Sequence, residues 1–121
     1  MSAESAYQLL QKGLALLAER RGHQAAIVLE HARSQEPNKG SVREALARAY
    51  YGSGRFGLAR SEFEAALEID PSNDYAHFGL ALCLERSGEI ATARGHAKLA
   101  VAMRPEDENY QRALERIARA S

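Results

Sequence analysis

Residues 40–73 read GSVREALARAYYGSGRFGLARSEFEAALEIDPSN. Val42, Leu46, Ala49 and Tyr50 form one apolar stripe, and Leu58, Ala59, Phe63, Ala66 and Leu67 form a second. Apolar residues three and four apart gather on one side of a helix, so the stretch predicts two helices. Ser53-Gly54 lies between them, and glycine adopts the left-handed backbone that ends a helix. Pro71 lies just beyond the second stripe, where proline stops a helix. No strand-like alternation occurs here or elsewhere in the chain.

The stretch recurs. The only three prolines are Pro37, Pro71 and Pro105, 34 residues apart. Ala25, Ala59 and Ala93 keep the same step, as do Ala32, Ala66 and Ala100. A period of this size marks an array with one helical hairpin per unit. The register gives units 6–39, 40–73 and 74–107, followed by a half unit over 108–119. Ser87-Gly88 repeats the hairpin turn in the third unit. In the first the glycine is displaced to Gly22, which predicts a variant turn. Asn38, and Ser72 or Asn73, follow prolines and are candidates to cap the next helix. The prediction is an all-α chain of seven helices.

Composition sets further bounds. The 121 residues make one domain's worth of chain, 1–121. Sixteen basic and sixteen acidic residues leave no net charge, which argues against general nucleic-acid or anionic-membrane binding. The single cysteine, Cys83, forms no internal disulfide, and a reducing cytoplasmic setting is the default. Met1 to Lys12 lack a basic stretch followed by an apolar run, so no secretory signal is read. The heavy use of alanine, arginine and glycine suits a bacterial protein.

These positions resemble the tetratricopeptide repeat (TPR) family over nearly the whole chain. The second unit carries Leu46, Ala47, Tyr50, Gly54, Phe56, Ala59, Phe63, Ala66 and Pro71 at the family's signature places. The first supplies Gly13, Ala25, Ala32 and Pro37; the third supplies Leu80, Ala81, Gly88, Ala93, Ala100 and Pro105. Arg43 and His77 stand where the family often has tryptophan, and Ala97 replaces a large aromatic. The resemblance implies a right-handed α-solenoid of three hairpins plus one capping helix. The stripe that faces the preceding unit reads Val42, Leu46, Ala49 and then Ala76, Leu80, Cys83. In the first unit the same places hold Gln8, Lys12 and Ala15, mostly polar. The last helix is apolar backward, at Tyr110, Leu114 and Ile117, while Gln111, Glu115 and Ala118 occupy the places that would face a partner helix. Such ends suit a free-standing array.

No catalytic constellation or cofactor motif stands out, so a non-enzymatic protein is expected. His23, His31, His77 and His96 lack metal-ligand spacing. Cys83 falls on a packed stripe, and His77 reads as a packing residue between the two helices of its unit. The resemblance implies that partners bind the concave surface lined by the first helix of each hairpin. There the candidate groove residues are Tyr7, Leu10, Leu14 and Leu17 in the first unit and Ala45, Arg48 and Tyr51 in the second. The third unit adds Tyr75, Phe78, Gly79, Leu82 and Arg86, and the last helix adds Arg112 and Arg116. Gly79 is expected to let a ligand backbone come close. Members of the family that bind chaperone tails hold a terminal carboxylate with lysines, asparagines and an arginine; the matching places here are Leu10, Leu14, Ala45, Tyr75 and Gly79, so that clamp is absent.

Exposed large apolar groups mark an interaction surface. Burying about 400–500 Å² of it supplies about 10–12 kcal/mol gross, which association costs reduce to roughly micromolar affinity. The expected partner is a short amphipathic segment of another protein, its apolar side chains on Leu10, Leu14, Tyr75, Phe78 and Leu82. Acidic residues at one end would meet Arg48, Arg86, Arg112 and Arg116. The alternative is a homo-oligomer that buries the same groove or the first helix.

Overall fold

The computed structural model describes residues 4–121. Residues 1–3, which begin both the 1–121 domain and the stretch read for a secretory signal, lie outside the described residues. Among the described residues there are seven helices and no strand: α1 (Ala6–Ala18), α2 (Gly22–Gln35), α3 (Gly40–Gly52), α4 (Phe56–Ile69), α5 (Asp74–Arg86), α6 (Ile90–Met103) and α7 (Glu108–Arg119). The first helices of the hairpins begin at residues 6, 40, 74 and 108, and the second helices at 22, 56 and 90. The 34-residue step of the sequence is thus the step of the structure, an α-solenoid in which each helix packs mainly on its neighbours in the chain.

Small residues set the spacing between helices. All six alanines of the repeating pairs are completely buried. Gly13 does the same for α1, since a Cβ there would lie 2.5 Å from the Leu29 side chain. Larger groups fill the space between hairpins: Val42, Leu46, Phe63, Leu80 and Leu84 are buried. Tyr110 and Ile117 seat α7 on the array, while Gln8, Lys12 and Ala15 are exposed on the outer side of α1.

Both kinds of turn repeat. Within each hairpin an amide donates to a carbonyl five residues back: Arg21 to Leu16, Arg55 to Tyr50 and Glu89 to Leu84, at 2.8–2.9 Å. Gly54 (φ 81°) and Gly88 (φ 82°) supply the left-handed residue. The first hairpin closes with the same bond, so its turn is not the variant expected from Gly22. Arg20 takes the left-handed place with φ 60°. Gly22 serves packing instead, because a Cβ on it would lie 3.1 Å from the Ala49 carbonyl oxygen. A side chain in the left-handed region costs about 1–2 kcal/mol, against the smaller entropic cost of glycine. Arg20→Gly is therefore expected to stabilise the protein by about 1 kcal/mol, measured by urea denaturation.

Between hairpins the chain turns at each proline. Lys39, Asn73 and Asp107 donate their amides to Glu36, Asp70 and Arg104, so proline sits second in each turn, where its fixed φ is favoured. Asn73 and Asp107 then cap α5 and α7 with their side chains, and Ser5 forms a capping box with Gln8 at α1. At α3 the cap position is Lys39, which makes no side-chain bond, so the capping expected of Asn38 does not occur.

The family's tryptophan place has a different use here. The proline carbonyls accept from Arg43 Nε (2.8 Å, Pro37), His77 Nε2 (2.9 Å, Pro71) and Gln111 Nε2 (Pro105). Arg43 and His77 also reach the second helix of their hairpins. Arg43 pairs with buried Glu62 at 3.0 Å, and Glu62 also takes Arg33 of α2 at 2.7 Å. One repeat later His77 and His96 stand in the places of Arg43 and Glu62, with Nδ1 to Nδ1 3.0 Å. His77 donates from Nε2 to the Pro71 carbonyl, so its Nδ1 accepts and His96 Nδ1–H donates.

This pair has a pH consequence. Burial, and then the neighbouring His77, hold His96 below its ordinary value of 6.5, with Glu64 opposing them. The fold therefore favours neutral His96 over the charged form that the unfolded chain takes up readily. Its contribution to stability is complete above about pH 7 and is lost as pH falls below 6.5. Expected is a melting temperature that falls from pH 7 to pH 5 in the wild type and falls less in His96→Gln. Equal slopes would contradict it.

Candidate functional site

The first helices of the hairpins line the inner surface, and two adjoining clefts open there. One, of about 370 Å³, lies among α1, α3 and α5. Leu17, Tyr51, Tyr75 and Leu82 line it together with the buried Phe63 and Gly79, Arg48, Arg20 of the first turn and Gly22 at the start of α2. The second, of about 640 Å³, lies among α3, α5 and α7 and is lined by Phe78, Glu85, Arg86, Asn109, Arg112, Ala113 and Arg116. Tyr51 and Leu82 belong to both, so the clefts adjoin.

Of the residues expected to line the groove, Leu17, Arg48, Tyr51, Tyr75, Gly79 and Leu82 meet at the first cleft, and Phe78, Arg86, Arg112 and Arg116 at the second. Leu10 and Ala45 are buried, so they lie beneath the surface. Leu14 is half-buried against the core, and Tyr7 is 64% exposed but outside both clefts. Gly79 requires a correction. The space beside its Cα is taken by the Phe63 ring, only 2.2 Å from where a Cβ would stand. The glycine admits the protein's own phenylalanine, which takes the space that a Cβ would fill.

Sequence reasoning did not find Phe63, Gly22 or Arg20 as lining residues. Phe63 belongs to a second helix, outside the positions that line the groove in the family. Arg20 lies in a turn, and its signal was available: an arginine at the place where the other two repeats have glycine.

Aromatic rings organise the inner surface. Tyr75 packs edge-on against Phe78 at 5.7 Å, Phe78 lies against Tyr110 at 4.7 Å, and Tyr51 meets Phe56 edge-on at 4.9 Å. The Arg48 guanidinium lies 5.5 Å from the Tyr75 ring centre. Arg86 lies 4.3 Å from that of Phe56 and donates from Nε to the Tyr51 hydroxyl at 2.8 Å. Stacking holds an arginine in place while its N–H groups stay available. Burial raises the Tyr75 hydroxyl pKa above its ordinary value, so the ring stays neutral.

The arginines divide into two groups. Arg116 forms two bonds to Glu85, at 2.8 and 2.7 Å, and this partner holds the Glu85 carboxyl below its usual range. Arg112 reaches Glu108 at 3.7 Å and Asn109 at 2.8 Å. Among the described residues, Arg20, Arg48 and Arg86 form no ion pair. Together the clefts carry five arginines and one glutamate, in a chain whose charges balance overall.

Other chemistry is sparse. No cluster of three or more metal-ligating side chains occurs among the described residues, and none of their helices is long and apolar enough to cross a membrane. Cys83 is buried, and burial raises its thiol to about 11, so the reactive thiolate is scarce at neutral pH.

Comparison with known proteins agrees with this architecture. A family model described as tetratricopeptide repeat matches residues 10–74 and again 44–108. The tetratricopeptide repeat and J domain-containing co-chaperone DNJ1 of Cryptococcus neoformans var. grubii is 32% identical over 107 residues, covering 88% of this chain and 20% of that protein. The chain thus spans about a fifth of the length of that curated relative. The first TPR of Spaghetti (RPAP3), bound to an HSP90 peptide, superposes with a TM-score of 0.91 at 17% identity, covering 99% of this chain and 95% of that one. The type III secretion chaperone SycD of Yersinia enterocolitica, in complex with a peptide of the translocator YopD, gives 0.85 at 18%, covering 98% and 96%. The repeat step, the shared turns and the match of the family model over residues 10–108 lead to one conclusion: the chain belongs to the tetratricopeptide repeat family.

Proposed function

We propose that this protein is a non-enzymatic binding module that holds a short amphipathic, acidic segment of another protein in its concave groove. One observation carries the reading: two adjoining clefts lined by aromatic rings and leucines gather five arginines against one glutamate. Apolar walls supply affinity, and the excess positive charge selects the partner and speeds encounter. The solved structures of Spaghetti and SycD, each holding a peptide, support the mode of binding. The partner differs from a chaperone tail, because Leu10, Leu14, Ala45, Tyr75 and Gly79 stand where the carboxylate clamp would be.

Leu82 tests this most cleanly, since it borders both clefts and is half-buried. Phe78 is less suitable, because its ring also rests on Tyr110 and helps seat α7. Leu82→Gln is expected to weaken a micromolar peptide at least about tenfold through lost apolar burial with helicity unchanged. Unaltered affinity would remove the groove from the account. Light scattering over a wide concentration range separates this reading from self-association: a monomer leaves the groove free, and a dimer split by Leu82→Gln makes a second copy its occupant.

A further inference from the structure

Arg20 combines two features with no common structural cause. It occupies the left-handed turn position, φ 60°, where both other hairpins place glycine, and it lines the 370 Å³ cleft. The backbone gains nothing from a side chain there, and strain of this kind gathers where function over-determines the residue. Across the same cleft Arg48 lies against the Tyr75 ring, and neither guanidinium has a carboxylate partner among the described residues. Beyond the shared wall of Tyr51 and Leu82, Arg86 is the third unpaired cation.

We propose that Arg20 and Arg48 form a carboxylate-binding pair at the first cleft, and that the protein recognises an internal segment in which a large apolar side chain, best aromatic, is flanked on both sides by acidic residues. This rests on the peptide-binding reading above and specifies its partner. The volume is near the lower end of the range for ligand pockets, about 300–1,000 Å³, which suits one large side chain. Tyr51 and Tyr75, both only partly buried, offer ring surface to an aromatic guest. Arg20 and Arg48 line the cleft that takes the anchor, and Arg86 lines the adjoining one, past Tyr51 and Leu82. A free C-terminus brings a carboxylate to one cleft only; an internal acidic–aromatic–acidic segment reaches both.

The test is selection from two phage-displayed random heptapeptide libraries on the full chain, one held between fixed flanking sequences and one ending at a free C-terminus. Expected is enrichment of acidic–aromatic–acidic peptides from the internal library. Their synthetic forms, acetylated and amidated, should lose affinity about five- to tenfold on Arg20→Gly and on Arg48→Gln, as for a charge-assisted hydrogen bond. Arg20→Gly should at the same time melt higher, so that the loss of binding cannot come from unfolding, and Arg48→Gln gives the second reading. Enrichment of uncharged or basic peptides, or of free C-termini alone, overturns this inference and leaves peptide binding standing. Unchanged affinity in both variants also overturns it. No enrichment from either library overturns the peptide-binding reading and the inference together.

Discussion

Phe63→Ala is expected to cost about 3–5 kcal/mol, the range for truncating a buried phenylalanine. Phe63 is 2% exposed, and its ring passes from α4 onto the bare Cα of Gly79 in α5, near Tyr75 at 6.3 Å. Alanine leaves a void that neither side can close, because the glycine has no side chain to move inward. In an array of nearest-neighbour interfaces, loss at α4–α5 also uncouples the hairpins on either side. A domain of this size has about 5–15 kcal/mol in total, so a substantial share of the stability goes. Urea denaturation reads it as a lower midpoint, and a broadened or two-step transition would show the uncoupling. Gly79→Ala should destabilise by about 1–3 kcal/mol from overpacking, and combining it with Phe63→Leu should recover part of the loss. A cost below about 1 kcal/mol for Phe63→Ala, under the low end of that range, would mean the hairpins do not meet as described.

The second large effect is expected at Glu62. Its side chain is 8% exposed and lies between Arg33 of α2 and Arg43 of α3, at 2.7 and 3.0 Å. Removing one member of a buried ion pair costs about 3–5 kcal/mol, because the remaining charge is left without a partner. Here Arg33 and Arg43 keep 33% and 21% of their side-chain surface exposed, and water recovers part of the loss. Glu62→Ala should therefore cost about 2–3 kcal/mol. Glu62→Leu combined with Arg33→Met and Arg43→Met should come out close to neutral, since apolar replacement of a whole buried charge cluster removes its desolvation cost too. A single Glu62→Ala as stable as wild type would mean that the cluster contributes nothing.

Much of the fold was legible because its code is local. The 34-residue step of proline and alanine fixed where helices begin and which faces are buried, since turn chemistry and helical periodicity act over a few residues. Side-chain exchange between repeats was not legible. Arg43 and His77 looked like departures from the family's tryptophan, yet each, like Gln111, donates to the proline carbonyl six residues before it. The partners of Arg43 and His77 on the next helix, Glu62 and His96, stand 19 residues on and share no chemistry, so no pattern announces them. The site shows the same division. Positions on α1, α3 and α5 were found from their place in the repeat, but Gly79 was misread because a distant Phe63 fills its space. Arg20 was not legible because the nearby Gly22 suggests a shifted turn, whereas the turn keeps its place and Arg20 itself takes the left-handed conformation.

If peptides bind the concave surface, a bound peptide perturbs the amides along it. The ¹⁵N-labelled protein can be titrated with an acidic–aromatic peptide from the selection while backbone amide shifts are followed. The largest changes are expected at Leu17, Arg20, Arg48, Tyr51, Leu82 and Arg86, on α1, α3, α5 and the first turn, and should shrink as salt rises. Changes gathered instead on the outer faces of α2, α4 and α6, around Ile27, Leu58 and Leu99, would contradict binding at the concave surface.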